Sequence, residues 1–130
     1  MGASKNSSVA ARFGVDSDTV RSVRRWVADI ATEWKLAEVE TLVLLASELA
    51  TNAVLHARTD YEIRLRVTDD DAIRMEVLDY NSRLPSIGSV PTDATSGRGL
   101  LIVQALATAW GIENHPQGKI VWFELPALRL

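Results

Sequence analysis

The sequence predicts an α+β two-layer sandwich, with helices on one face of a mixed, mostly antiparallel sheet. Two observations carry that expectation. Apolar residues recur at helical spacing through two consecutive runs, and the pattern then switches to strict alternation. The segments also follow the order helix, helix, hairpin, long loop, helix, hairpin, which is not the strand–helix alternation of a doubly wound fold.

The length of 130 residues fits one domain, because two separate cores would each be marginal. Residues 1–15 mix small and polar types with little periodicity and read as a flexible tail, with a short edge strand near 10–13. The single domain spans 16–130. Asp16, Ser17 and Asp18 are helix N-cap candidates. Val20, Val23, Val27, Ile30 and Trp34 then form one helical stripe. Trp34 continues that stripe and is expected to be buried, whereas Trp26 falls off it and suits an interface. A second helix is expected over 38–57, its apolar face running from Val39 through Leu42, Ala46, Leu49 and Ala53. Tyr61, Ile63, Leu65 and Val67 alternate with polar residues as a half-buried strand. Asp69, Asp70 and Asp71 form a hairpin turn, and Ile73, Met75 and Val77 continue the inward face, which places Asp79 on the core side. Periodicity is absent over 80–96, a long loop with Pro85, Gly88 and Pro91. Gly97, Arg98 and Gly99 open a third helix, ended by Gly111. Two closing strands, 112–115 and 119–125, flank a turn at Pro116, Gln117 and Gly118.

Composition removes several function classes. With no Cys there is no disulfide scaffold, thiolate metal site or Cys nucleophile. His56 and His115 are the two histidines, too few for a multi-histidine metal site. A net charge of −3 argues against a dedicated nucleic-acid binder, and the Arg21, Arg24 and Arg25 face has no second basic element beside it. No apolar run reaches the roughly 18 residues of a membrane span, and the first residues lack a signal-peptide pattern. A cytoplasmic protein without direct nucleic-acid or membrane partners is expected.

Three places could carry chemistry. Glu48, Asn52 and His56 are spaced i, i+4, i+8 and share a helical face. A solvated polar stripe is the plain reading. Asn52 argues against it, because asparagine is a poor mid-helix residue and has no cap to form there. An amide oxygen at that position suits Mg²⁺, and a carboxylate one turn away can orient or deprotonate a nucleophile. Asp79 is either a turn-capping aspartate or an acceptor at the base of a pocket. Gly97, Arg98, Gly99 and Leu100 are either an ordinary loop-to-helix junction or a phosphate-binding turn, where free amides and a guanidinium face an anion. The P-loop pattern is absent, as are the eukaryotic protein-kinase signatures.

Together these segments resemble the GHKL, or Bergerat-fold, ATPases. Glu48, Thr51, Asn52, Ala53 and His56 are similar to the superfamily's N box in its E-x-x-T-N-A-x-x-H form. That form resembles the small bacterial anti-sigma factor serine kinases. The run from Asp79 through Pro85 is similar to the G1 segment, and the run from Gly97 through Val103 to the G2 box. Trp110, Gly111, Gly118, Lys119 and Trp122 match the closing region, so the resemblance covers about 16–125. It implies that Glu48 is the general base, that Asn52 binds Mg²⁺, that Asp79 reads adenine, and that Gly97, Arg98, Gly99 and Leu100 hold the phosphates of ATP. It implies a flexible ATP lid over 80–96. It also implies transfer of the γ-phosphate to a serine of an antagonist protein, a sigma factor partner, and dimerisation through the first strand and helix. The chain departs from the larger GHKL members in two places. Asn81 and Ser82 follow Asp79 where glycines are expected, and Lys119 follows Gly118 where a threonine is expected. Those departures motivate an alternative, a nucleotide-binding switch that acts through protein contacts without phosphotransfer. A third reading is a partner-binding domain that has lost nucleotide.

Overall fold

The structure is a computed structural model that describes residues 6–16, 18–81 and 94–130, with the backbone alone for 94–99. Its elements, in chain order, are β1 (Ser8–Phe13), α1 (Thr19–Glu33), α2 (Val39–Asn52), a π-helical turn (Ala53–Ala57), β2 (Tyr61–Val67), β3 (Ala72–Asp79), α3 (Ala94–Leu106), β4 (Ala109–His115) and β5 (Gly118–Pro126). The sheet order is β1-β2-β3-β5-β4. Every neighbouring pair is antiparallel. The predicted two-layer sandwich is therefore observed, its sheet wholly antiparallel.

Alternation along the strands sorts the two faces. Ile63, Val77 and Val121 lie abreast, as do Leu65, Met75 and Phe123, and Val67, Ile73 and Leu125. All nine are buried under the helices. From α1 come Val23, Val27, Ile30 and Ala31, and from α2 Leu42, Leu45, Ala46, Leu49 and Ala50. Helix α2 packs between α1 and α3, so it buries a wider stripe than a one-sided helix, Leu45 and Ser47 included. Trp34 is buried as expected. Trp26 is half-buried and meets Phe13 edge-on, ring centroids 5.7 Å apart. The opposite sheet face is polar. There Arg74 lies 4.0 Å over the Trp122 ring and pairs with Glu76 at 3.0 Å and Glu124 at 3.1 Å. Burial works against the charge of Arg74, and its carboxylate hydrogen bonds outweigh that, so its pKa is raised.

Several boundaries differ from the sequence reading, each for a physical reason. The edge strand begins at Ser8, because its backbone finds a full ladder along β2. No Asp18 side chain caps α1. Thr19 instead donates through its amide and its hydroxyl to the Asp16 carbonyl, at 3.0 and 2.8 Å. The expected second helix is interrupted. After Asn52 the chain widens into the π turn and stops at Arg58, which adopts a left-handed φ of 56° and donates to the Ala53 carbonyl. Gly111 does not end a helix. It lies within β4 opposite Trp122, whose indole fills the space a Cβ would take. The third helix ends earlier, at Leu106.

Both hairpins are where alternation placed them. At the first, Asp71 has φ 60° and is held by both nitrogens of the Arg129 fork, at 2.8 and 3.0 Å. The Asp71 contact raises the Arg129 pKa. The second is a tight turn with His115 paired to Gly118.

Candidate functional site

Asp79 ends β3 on the helix-facing side, as alternation along the strand requires. The register places it between Tyr61 of β2 and Lys119 of β5. This row closes the core at one end of the sheet and is where polar groups replace apolar ones. Asp79 is 3 % exposed and Lys119 4 %. A buried charge persists only when paired, and the pairing here is close. The Lys119 ammonium lies 2.9 Å from each Asp79 carboxylate oxygen and also donates a hydrogen bond to the Asn81 carbonyl at 3.2 Å. The Asn81 amide donates to Asp79 Oδ1 at 3.0 Å, an Asx turn at the strand's exit. Tyr61 is tied by its hydroxyl to Thr19 at 2.9 Å. Burial raises the Tyr61 pKa, and the Thr19 hydrogen bond opposes that only in part.

Gly118 makes the arrangement possible. A Cβ on it would run into the Asp79 carbonyl oxygen, and would meet the Tyr80 Cα at 2.7 Å. Only a residue without one lets β5 start this close to the end of β3 and deliver Lys119 to the carboxylate.

Helix α2 supplies the second half of the site. Glu48 and Asn52 are half-buried one turn apart. Neither side chain is committed to a hydrogen bond with another described residue. The α2 backbone is reinforced there by Thr51, whose hydroxyl donates to the Ser47 carbonyl at 2.7 Å. The segment after Asn52 is stitched to the end of β3. Asn81 Nδ2 donates to the Ala57 carbonyl at 3.3 Å, and the Tyr80 amide to the Thr59 hydroxyl at 3.1 Å. Thus the end of the N-box-like helix and the Asp79 turn are one connected unit. His56 lies beyond α2, in the π turn, so the regular α-helical spacing that would align it with Glu48 and Asn52 does not continue to it, and it is exposed where they are half-buried.

The third site segment also differs. Helix α3 begins at Ala94, ahead of the glycines. In helical geometry the amides of Arg98 and Gly99 bond back to the carbonyls of Ala94 and Thr95, so the helix itself uses them. The Leu100 side chain is buried in the core, and in the helix its amide bonds to the carbonyl of Ser96. The lid expected over 80–96 falls mainly on residues 82–93, outside the described residues.

Lys119 is the residue that sequence reasoning missed as a site member. Its signal was present, because Lys119, Val121, Phe123 and Leu125 alternate on one face. A lysine opening such a run needs a buried partner.

The fold has counterparts among known proteins. A family model described as the histidine kinase-like ATPase domain matches residues 13–125. The chain belongs to that family. The family is one of ATP-binding domains, so a nucleotide site of kinase type is what this fold brings. A structure of the RsbU and RsbW domains of a Mycobacterium tuberculosis protein superimposes with a TM-score of 0.68 at 17% identity, over 95% of this chain and 34% of that one. The histidine kinase domain of the blue-light activated histidine kinase from Erythrobacter litoralis gives 0.55 at 20% identity, over 98% of this chain and 66% of that one. The chain thus spans about a third of the first and two thirds of the second, and the two likenesses show the shared fold. Among curated proteins no match is found. No described helix is long and apolar enough to cross a membrane.

Proposed function

We propose that this chain is a Mg-ATP-dependent protein serine kinase of the anti-sigma type. It would transfer the ATP γ-phosphate to a serine of an antagonist protein and regulate transcription through a sigma factor. What supports the reading is that α2 carries Glu48 and Asn52, half-buried and without a hydrogen bond to another described residue, while the π turn that follows α2 is hydrogen-bonded through Asn81 to the turn of the buried carboxylate Asp79. The RsbW domain named in the Mycobacterium tuberculosis structure supports the anti-sigma assignment.

In this reading Asp79 accepts from the adenine amino group. Asn52 presents a carboxamide oxygen, a hard ligand of the kind Mg²⁺ takes. Among the described residues no cluster of three or more His, Cys, Asp or Glu could hold a metal by itself. That fits an ion that keeps its waters and takes most of its ligands from phosphates. When bound, Mg²⁺ neutralises charge on the phosphate oxygens. In this reading the run of Gly97, Arg98, Gly99 and Leu100 faces the phosphates, with the Arg98 guanidinium supplying the cation. Glu48 holds the serine hydroxyl and takes its proton as the hydroxyl oxygen attacks the γ-phosphorus. The bond from that phosphorus to the bridging oxygen breaks, and ADP leaves.

The Lys119–Asp79 pair favours one second reading, a nucleotide-binding switch without transfer, because part of the base-reading carboxylate is already occupied. Labelled ATP separates the two. Partners are captured from the native cell with and without Mg-ATP, and each is incubated with the chain and labelled nucleotide. The kinase reading expects serine labelling that Glu48→Ala abolishes while ATP binding persists. Nucleotide-dependent capture without labelling would establish the switch instead.

A further inference from the structure

We infer that Lys119 sets the base specificity of the nucleotide site by leaving Asp79 a single acceptor position. The inference rests on the reading of Asp79 as the base-reading carboxylate. An ionised carboxylate has about four lone-pair positions, two on each oxygen. Lys119 Nζ is 2.9 Å from Oδ1 and 2.9 Å from Oδ2, so the ammonium straddles the edge between them. The Asn81 amide takes the second position on Oδ1, at 3.0 Å. Among the described residues, that leaves the outer position of Oδ2.

The lysine cannot easily leave its place. It also donates to the Asn81 carbonyl at 3.2 Å, its side chain is buried, and Gly118 locks the start of β5 against the Asp79 and Tyr80 backbone. An ammonium has three donors, and three oxygens lie within 3.2 Å of it: Oδ1 and Oδ2 of Asp79 and the Asn81 carbonyl.

Purines differ in what they bring to such a carboxylate. The Watson–Crick edge of guanine presents two adjacent donors, N1–H and the 2-amino group, which bind a carboxylate through both oxygens. That two-oxygen approach is the one Lys119 occupies. Adenine presents one donor, its 6-amino group, and one position suffices. A guanine forced into the site would bury a donor without a partner, the situation in which hydrogen-bonding sites discriminate most strongly. Lys119 is therefore a positioning residue. It selects adenine without touching it, by fixing and half-filling the group that does.

The test is calorimetric titration of the wild-type chain and Lys119→Met with Mg-ATP and Mg-GTP. The wild type is expected to bind ATP up to about 100-fold more tightly than GTP, the factor that one buried donor left without a partner gives. In Lys119→Met that ratio is expected to fall by about tenfold or more, with GTP gaining affinity in absolute terms. Should the methionine variant fail to fold, Lys119→Gln is scored in the same way, because it keeps one donor to the carboxylate. An unchanged ratio in the variant overturns the inference. Equal weakening of both nucleotides also overturns it, since that is what a purely structural lysine would give. So does a wild type that binds GTP as tightly as ATP, a result that needs no variant. A wild type that binds neither nucleotide overturns the ATP-site reading itself, and is thereby distinguished from the other outcomes.

Discussion

Two glycines in adjacent strands permit a controlled comparison, and Gly118→Ala is the informative change. The Cβ it adds would meet the Asp79 carbonyl carbon at 2.8 Å and the Tyr80 Cα at 2.7 Å. Both are backbone atoms at the end of β3 and its exit, so relief requires parting the β3–β5 ladder there. Overpacking costs roughly 1–3 kcal/mol, and a backbone obstacle places this substitution at the upper end, about 3 kcal/mol. At about 4 °C per kcal/mol for a chain of this size, the melting temperature should fall by about 12 °C. Gly111→Ala adds the same methyl group against the Trp122 indole, at 2.8–2.9 Å. The obstacle there is a half-buried side chain, not backbone, and it can shift against Arg74, so the cost is at the lower end, about 1 kcal/mol and about 4 °C. Thermal unfolding followed by circular dichroism measures both. A nucleotide titration of the surviving folded protein should show that Gly118→Ala weakens ATP binding and Gly111→Ala does not, because only the first disturbs Asp79. If the two variants melt at the same temperature and bind ATP equally, the close approach at Gly118 does not hold the site together.

Three further outcomes are expected. Phe123→Ala empties a fully buried ring position between the sheet and the helices. It should cost about 3–5 kcal/mol in chemical denaturation, and a loss under about 1 kcal/mol would contradict the core described here. Tyr61 carries a pKa raised above 10.0 by burial. Below that value its phenol is neutral whether folded or not, so its contribution is intact. As pH rises through the range above 10, the unfolded chain gives up the proton first and stability falls. Tyr61→Phe should flatten that alkaline decline in a pH series of melting temperatures, and an identical slope would refute the attribution. Asn52→Leu should leave the fold intact and abolish the Mg²⁺ dependence of ATP affinity, and persistence of that dependence would remove Asn52 as the metal ligand.

Much of this architecture is written in local pattern. The alternation from Tyr61 to Val67 and from Ile73 to Val77 is enough to place Asp79 inward, because side-chain direction in a strand has a period of two. The stripe from Val20 to Trp34 likewise places α1 on the core. What local pattern does not contain is the pairing between distant strands. Lys119 has an inward-facing signature of its own, yet nothing near it in sequence says that its neighbour is Asp79, forty residues away. That follows from register, which the whole sheet decides. The π turn after Asn52 is hidden for a similar reason. The run from Ala53 to Ala57 keeps helix-forming residues, and the widening answers the packing of the turn on β3 and the hydrogen bond from Asn81 to Ala57. Gly111 was misread because a glycine after an apolar helical run is the usual stop signal. Here it makes room for an aromatic ring from the neighbouring strand. Of the proposed site, Glu48, Asn52 and Asp79 stand out in the sequence by residue type and spacing, whereas the ion pair between Lys119 and Asp79 does not.

The central claim is that the end of β3, the end of α2 and the start of α3 form one ATP site. Calorimetric titration of the wild-type chain with Mg-ATP tests it most directly. One nucleotide per chain with a micromolar dissociation constant is predicted, accompanied by a stability gain of about 2.7 kcal/mol at a hundredfold excess over that constant. No heat of binding and no shift in melting temperature at millimolar Mg-ATP would contradict it.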